Sequence, residues 1–233
     1  PMEFDLHIHT NRYSGCSNLD ADLLVRRAVE VGLDGVVLTE HGILWPEEKL
    51  RPLAEAGAEA GLLVLAGQEV ACFSPSGVFE GEFLVFGYPR SLGSSRAVAS
   101  VLEMVHAVGG VVIAAHPFKR AAADPGGFYG AGMGVYDYGI DGLEVIHPSY
   151  DEEGLALARR AAEDLGVAGV GGSDAHDLAG VGACRTLFFD TIAAMEDLCR
   201  AVRERRVAAV AARGRGGPAG KGGPRGRRGG VGA

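Results

Sequence analysis

Residues 3–18 read EFDLHIHTNRYSGCSN, an apolar run that ends in two histidines one residue apart and then turns polar. Residues i and i+2 of a β-strand point to the same face, so a strand over residues 4–8 aims His7 and His9 in one direction and turns Ile8 away. Two converging imidazoles at the end of a strand are the beginning of a metal site. They count as one only if other ligand-type residues occupy equivalent places further along the chain.

Working outward from this segment, further apolar, β-branched runs predict strands over residues 35–39, 62–66, 83–86, 111–115, 142–146, 167–170 and 186–189. Helical patterns lie between most of them. LDADLLVRRAVEVG puts Leu23, Leu24, Ala28 and Val31 on one face, with Asp20 as N-cap and Gly32 as stop; SSRAVASVLEMVHAVGG and SYDEEGLALARRAAEDLG read alike. Strands alternating with helices imply parallel pairing in an α/β barrel or doubly wound sheet. Residues 119–140, rich in glycine and tyrosine, break this rhythm and read as a lid or substrate-facing loop.

The chain has 233 residues, 47% of them hydrophobic, enough for one domain with a sizeable core, expected over residues 1–212. The net charge of −8 joins two unlike parts. Residues 213–233 hold six basic residues and no acid, so the preceding part carries −14. Such an acidic body is a poor general nucleic-acid surface. The Gly/Arg/Pro-rich segment has too little apolar content to pack and no aromatics to stack on bases, and is expected to be a disordered tail; nucleic acid could reach the protein only through it. No run approaches the roughly 18 apolar residues of a membrane span, no secretory order is seen, and four scattered cysteines suit a reducing compartment. A cytoplasmic protein without membrane contact is expected.

Placed on the strand map, the reactive side chains gather at strand ends. His7 and His9 follow the first strand, Glu40 and His41 the second, Glu69 the third, His116 the VVIAA strand, His147 the GLEVI strand, and Asp174 with His176 the VAGVGG strand. In a (β/α) barrel these ends share one rim, where barrel enzymes keep their chemistry. Six of the seven histidines fall at such ends; only His106 sits in a helical pattern. Imidazoles and carboxylates without a thiolate cluster suit Zn²⁺, Mn²⁺ or Fe²⁺. The set His7, His9, His41, Glu69, His116, Asp174 and His176 exceeds the needs of one ion and would serve two or three. A two-metal site activates water and clamps the oxygens of an in-line displacement, the demand of phosphoester hydrolysis. Arg12, Lys119 and Arg120, in loops after ligand motifs, are candidates to hold phosphate.

The motif series DLHIHT, VVLTEH, AGQEV, AAHP and GGSDAH, spanning about residues 3–190, resembles the PHP (polymerase and histidinol phosphatase) superfamily of metal-dependent phosphoesterases. That resemblance implies a distorted (β/α)₇ TIM-like barrel with a metal cluster at its C-terminal rim, and hydrolysis by a metal-bridging hydroxide. It implies that His7, His9 and Asp174 hold one metal, that Glu69 bridges to a second held by His116, and that His41 and His176 belong to a third position. The chain departs from the family in YSGCS, where many members place an Asp for the third metal. It departs again in EFLVFGYPR, where some members supply a histidine. Glu40, in TEH where TDH is commoner, reads as an orienter of ligands.

The expected substrate is a small phosphomonoester, with a rim histidine such as His176 or a metal-bound water protonating the leaving alkoxide and His147 facing substrate or metal. The alternatives are a phosphodiesterase or exonuclease on nucleic acid ends, an amidohydrolase, and a non-catalytic metal-binding barrel.

Overall fold

The computed structural model describes residues 1–212; the expected basic tail, residues 213–233, lies outside the described residues. In chain order the elements are β1 (Met2–Ile8), α1 (Ala21–Glu30), β2 (Gly35–His41), α2 (Glu47–Glu59), β3 (Leu63–Phe73), β4 (Phe79–Phe86), α3 (Val98–His106) and β5 (Val111–Ala114). A ribbon of β6 (Lys119–Ala121) and β7 (Asp124–Tyr129) follows, then a 3₁₀ turn over Gly132–Asp137. β8 (Gly142–Ile146), α4 (Glu152–Leu165), β9 (Ala168–Gly171), β10 (Cys184–Phe188), α5 (Met195–Arg203) and β11 (Val207–Ala211) complete the fold.

Nine strands form one sheet in the order β11-β10-β1-β2-β3-β4-β5-β8-β9. The sheet curls until the chain just past β9 reaches β1. There the Ala175 amide donates to the His7 carbonyl at 3.2 Å and the His9 amide to the Ala175 carbonyl at 3.0 Å, a parallel bridge that brings the Asp174 loop beside the two histidines. The α/β barrel expected from the sequence is thus present in nearly closed form. Phe4, Leu6, Val37, Leu84, Phe86 and Ile113 fill its interior together with Leu198, Ala201 and Val202 of α5. Helices α1 and α2 cover one outer face over Val36 and Leu38, and α3 and α4 cover another over Val85 and Leu143.

Local chemistry explains the predicted helices. Asp20 caps α1 by accepting from the Asp22 amide at 2.9 Å. Asp151 caps α4 through the Gly154 amide at 2.7 Å, and Gly166, at φ +64°, ends it. α2 carries Pro52 in its interior, which interrupts the pattern from which a helix is read.

Parallel pairing holds for β1-β2-β3 and β5-β8-β9 but not between them. No helix separates β3 from β4. β3 runs on to Phe73 and turns back at residues 74–78, where the Ser74 amide donates to the Val78 carbonyl at 2.8 Å, so β4 lies antiparallel to both β3 and β5. Residues 119–140 are not a bare loop; they form the ribbon and the 3₁₀ turn.

Candidate metal centre

β1 delivers His7 and His9 through an irregularity: its register with β2 shifts between Asp5 and Ile8, the kind of bulge that re-aims side chains beside a site. Their Nε2 atoms meet at 3.1 Å. Glu69, in β3 opposite His41 of β2, is the hub. Its Oε1 lies 3.3 Å from His7 Nε2 and 3.1 Å from His116 Nε2; its Oε2 lies 3.3 Å from His9 Nε2 and 3.1 Å from His41 Nδ1. Asp174 Oδ1 approaches His7 and His9 at 3.4 and 3.3 Å. His176 stacks on His9 with ring centres 4.6 Å apart. The structure therefore brings together all seven residues named as metal candidates.

Backbone strain marks two of them. His116, at φ +29°, and Asp174, at φ +51°, hold left-handed conformations that non-glycine residues rarely adopt, each where the chain leaves a strand at the rim. Gly172 serves the same place differently: a Cβ there would lie 2.6 Å from His7 Cβ and would strike the Glu144 carboxylate.

The outer nitrogens are held by partners that fix which ring nitrogen faces the cluster. His7 Nδ1 donates to Glu144 Oε1 at 3.0 Å, leaving the Nε2 lone pair inward. His9 Nδ1 lies 3.4 Å from Ser14 Oγ, whose hydroxyl donates to Glu40. Glu40 also accepts from Thr10 and from Trp45 Nε1, which fits the orienter role read from TEH. His176 Nδ1 donates to the Asp174 carbonyl at 2.8 Å, freeing its Nε2. Sequence reasoning missed Glu144 because it sits inside GLEVI, one of the apolar runs from which strands are read, rather than at its end.

Burial discourages charge on His7, but the carboxylates of Glu144, Glu69 and Asp174 outweigh it and raise its pKa well above the ordinary imidazole value. Burial would likewise lift the carboxyls, yet the His7 charge and the bonds from His116 and His41 hold Glu69 well below the usual range. The His7 charge and the bond to His9 do the same for Asp174. His147 goes the other way: burial, with the imidazoles of His116 and His7, lowers it to about 4.

A metal cluster fits this donor set. One donor from each of His7, His9 and Glu69 lies within 4.8 Å of the others, and the same holds for His9, His41 and His176. These are imidazoles and carboxylates, the ligands of Zn²⁺, Mn²⁺ or Fe²⁺. Two buried ring nitrogens, His116 Nδ1 and His147 Nε2, also lack any hydrogen-bond partner, a cost of about 1–3 kcal/mol each unless something else serves them.

Of the three cations proposed for phosphate, Lys119 reaches the cluster, its Nζ 3.7 Å from Asp174 Oδ2 and 5.5 Å from the Tyr129 ring centre. Arg120 is instead committed to ion pairs with Asp151 and Glu153, and Arg12 lies 3.5 Å from Asp22 and over Trp45. Cys16 Sγ sits 3.3 Å from His41 Nε2, at the place where the family's Asp is lacking.

The family profile described as PHP-associated matches residues 153–207. With four motifs upstream of the match and GGSDAH inside it, this bears out the resemblance to the PHP superfamily. No curated protein matches the chain. Among solved structures it is similar to a Bifidobacterium adolescentis protein provisionally assigned as a metal-dependent phosphoesterase, at 18% identity and TM-score 0.61 over 88% of this chain and 96% of that one. It is similar to PsfC from Pseudomonas syringae at 17% identity and TM-score 0.61, covering 90% and 91% of the two chains. It is also similar to an amidohydrolase from Chromobacterium violaceum, solved with sulfate and no metal, at 15% identity and TM-score 0.56 over 75% and 87%. At these identities the likeness is one of fold. Among the described residues no helix is long and apolar enough to cross a membrane.

Proposed function

We propose that this chain is a metal-dependent hydrolase of phosphoesters, with a small phosphomonoester as substrate. The observation that carries the reading is the position of Lys119, a cation 3.7 Å from Asp174 at the edge of a buried cluster of imidazole and carboxylate donors. An anionic substrate has there both a site for its charge and a reacting centre beside it.

In this reading His7, His9 and Asp174 would hold one ion, Glu69 and His116 a second, and His41 and His176 a third. Divalent ions bound there would acidify a water and neutralise phosphoryl oxygens. The remaining work falls to side chains of the chain itself. Lys119 takes a non-bridging phosphoryl oxygen, steadied by the Tyr129 ring beneath it. His147 Nδ1 accepts from the Ser149 amide at 3.2 Å, so its neutral ring carries the proton on Nε2, and that unpartnered N–H is free to donate to a second phosphoryl oxygen. His176, with Nδ1 committed to a carbonyl, offers Nε2 as a ligand and is thereby less suited to protonate the leaving alkoxide.

The test is elemental analysis of the purified protein beside a screen of phosphomonoesters with Mn²⁺, Zn²⁺ and Fe²⁺, on the wild type and on His9→Ala combined with Asp174→Ala. Two or more ions per chain, with phosphate release that the double variant loses, is the expected result. No bound ion and no release above the variant would sink the reading and leave a non-catalytic barrel.

A further inference from the structure

Glu82 belongs to none of the motifs that single out the cluster. It lies in GEFLVF, the fourth residue of β4, and is buried. Because β4 runs antiparallel to its neighbours, its early residues, not its last ones, stand at the reactive rim. Glu82 sits opposite Ala71 in the ladder to β3, and its carbonyl accepts from the Ala115 amide at 2.9 Å, one residue before His116. Gly81, at φ +123°, makes the approach feasible: a Cβ there would lie 2.7 Å from the Ala131 amide nitrogen.

The carboxylate is held at both oxygens. Oε1 accepts from the Tyr129 hydroxyl at 3.3 Å, and Oε2 lies 3.4 Å from His116 Nε2. That same nitrogen is 3.1 Å from Glu69 Oε1. One imidazole nitrogen carries at most one hydrogen, so it cannot satisfy two carboxylates. One donor atom from each of His41, Glu69 and Glu82 lies within 4.8 Å of the others. Two buried carboxylates so close repel unless a cation or a shared proton stands between them. His116 adds the second observation, a buried imidazole with Nδ1 unpartnered and Nε2 directed at the pair.

We infer that Glu82 is a metal ligand, paired with Glu69 and joined by the imidazoles of His41 and His116, so that this chain supplies a carboxylate from β4 at the cluster. Tyr129 is a positioning residue: its hydroxyl donates to the far oxygen of Glu82 and its ring lies 6.2 Å from that of His116, so it links the β6–β7 ribbon to the metal site. The inference rests on the metal-dependent reading above and assigns a divalent cation, whichever phosphoester is turned over.

Chelator-stripped protein titrated calorimetrically with Mn²⁺ and with Zn²⁺, together with elemental analysis after dialysis, tests it without reference to activity. Glu82→Gln is expected to bind one ion fewer than the wild type, or to hold one ion at least about 10-fold more weakly. Tyr129→Phe should keep the ion count and lose less affinity. Circular dichroism checks the fold, and if Glu82→Gln is unfolded, Glu82→Asp, which keeps the charge but shortens its reach, is read against the same expectation. A wild type that binds ions, with a folded Glu82 variant matching it in number and affinity, overturns the assignment alone. A wild type that binds none overturns it together with the proposed function.

Discussion

The two sides of the cluster are built by different rules. On one side, parallel β1 and the chain after β9 deliver His7, His9 and Asp174 from their C-terminal ends, inside DLHIHT and GGSDAH. On the other, antiparallel β4 and the β6–β7 ribbon deliver Glu82, Lys119 and Tyr129; Lys119 follows AAHP closely, but Glu82 and Tyr129 come from places with no such pattern. These parallel elements present their side chains at the rim where an apolar run turns polar, so function and sequence position coincide for His7, His9 and Asp174. An antiparallel strand reverses that relation. Its rim residues come first, embedded in apolar sequence, and a search of strand ends passes over them.

The sharpest division between the sides should appear in metal binding. His9→Ala on the β1 side removes an inward nitrogen shared by Glu69 and Asp174. It should weaken metal binding by more than the roughly 10–100-fold that mutation of an outer partner costs, and abolish metal-dependent turnover. Stripping the metals with a chelator should lower the melting temperature of the wild type, restored on re-addition, since a ligand at about 100 times its Kd stabilises by roughly 2.7 kcal/mol. A chelator-treated protein that melts unchanged would mean that the cluster contributes nothing to holding β1 against the Asp174 loop.

Glu144→Gln probes the support rather than the ligands. Glu144 accepts from His7 Nδ1 at 3.0 Å and from the His116 amide at 2.7 Å, so it braces one residue of each side. Replacement should cost roughly 10–100-fold in metal affinity, read by calorimetry. Proton release should report the same link. Because the carboxylates of Glu144, Glu69 and Asp174 outweigh burial and raise the His7 pKa well above its ordinary value, a proton competes with an ion for its Nε2. Affinity should therefore rise with pH, and titrations in buffers of different ionisation enthalpy should show protons released; Glu144→Gln, which removes the first of the carboxylates raising His7, should reduce that release.

The same contrast accounts for what was legible in the sequence. The barrel could be read because β1, β2, β8 and β9 are apolar runs closed by polar residues, and the seven candidates because each lies where such a run turns polar in the sequence. The β3–β4 reversal hid behind an eleven-residue strand whose polar Gln68 and Glu69 look like an ending, although β3 continues to Phe73. Glu144 was masked by its own strand, since a buried carboxylate has no periodicity until its partners are known. Residues 119–140 could be read as a departure from the strand-helix rhythm, but not as a paired ribbon, whose place depends on the long-range contacts of Tyr129 with Glu82 and of Lys119 with Asp174.

The smallest effects should separate two adjacent cations that sequence position treats alike. Lys119 and Arg120 both follow HPF, yet the ribbon turns them to different surroundings, Lys119 toward Asp174 and Arg120 to Asp151 and Glu153. A charge-assisted hydrogen bond is worth about 1.5–3 kcal/mol, and Lys119 is a third exposed, so the lower end applies. Lys119→Met should raise KM for a phosphomonoester about 10-fold while metal content is unchanged, whereas Arg120→Met should leave KM within about twofold, because an exposed ion pair contributes little. Equal effects from the two would mean that the ribbon rearranges when substrate binds and that its geometry on the β4 side is not the one that meets phosphate. A Lys119 effect confined to kcat would instead place the ammonium on charge that develops only during the reaction.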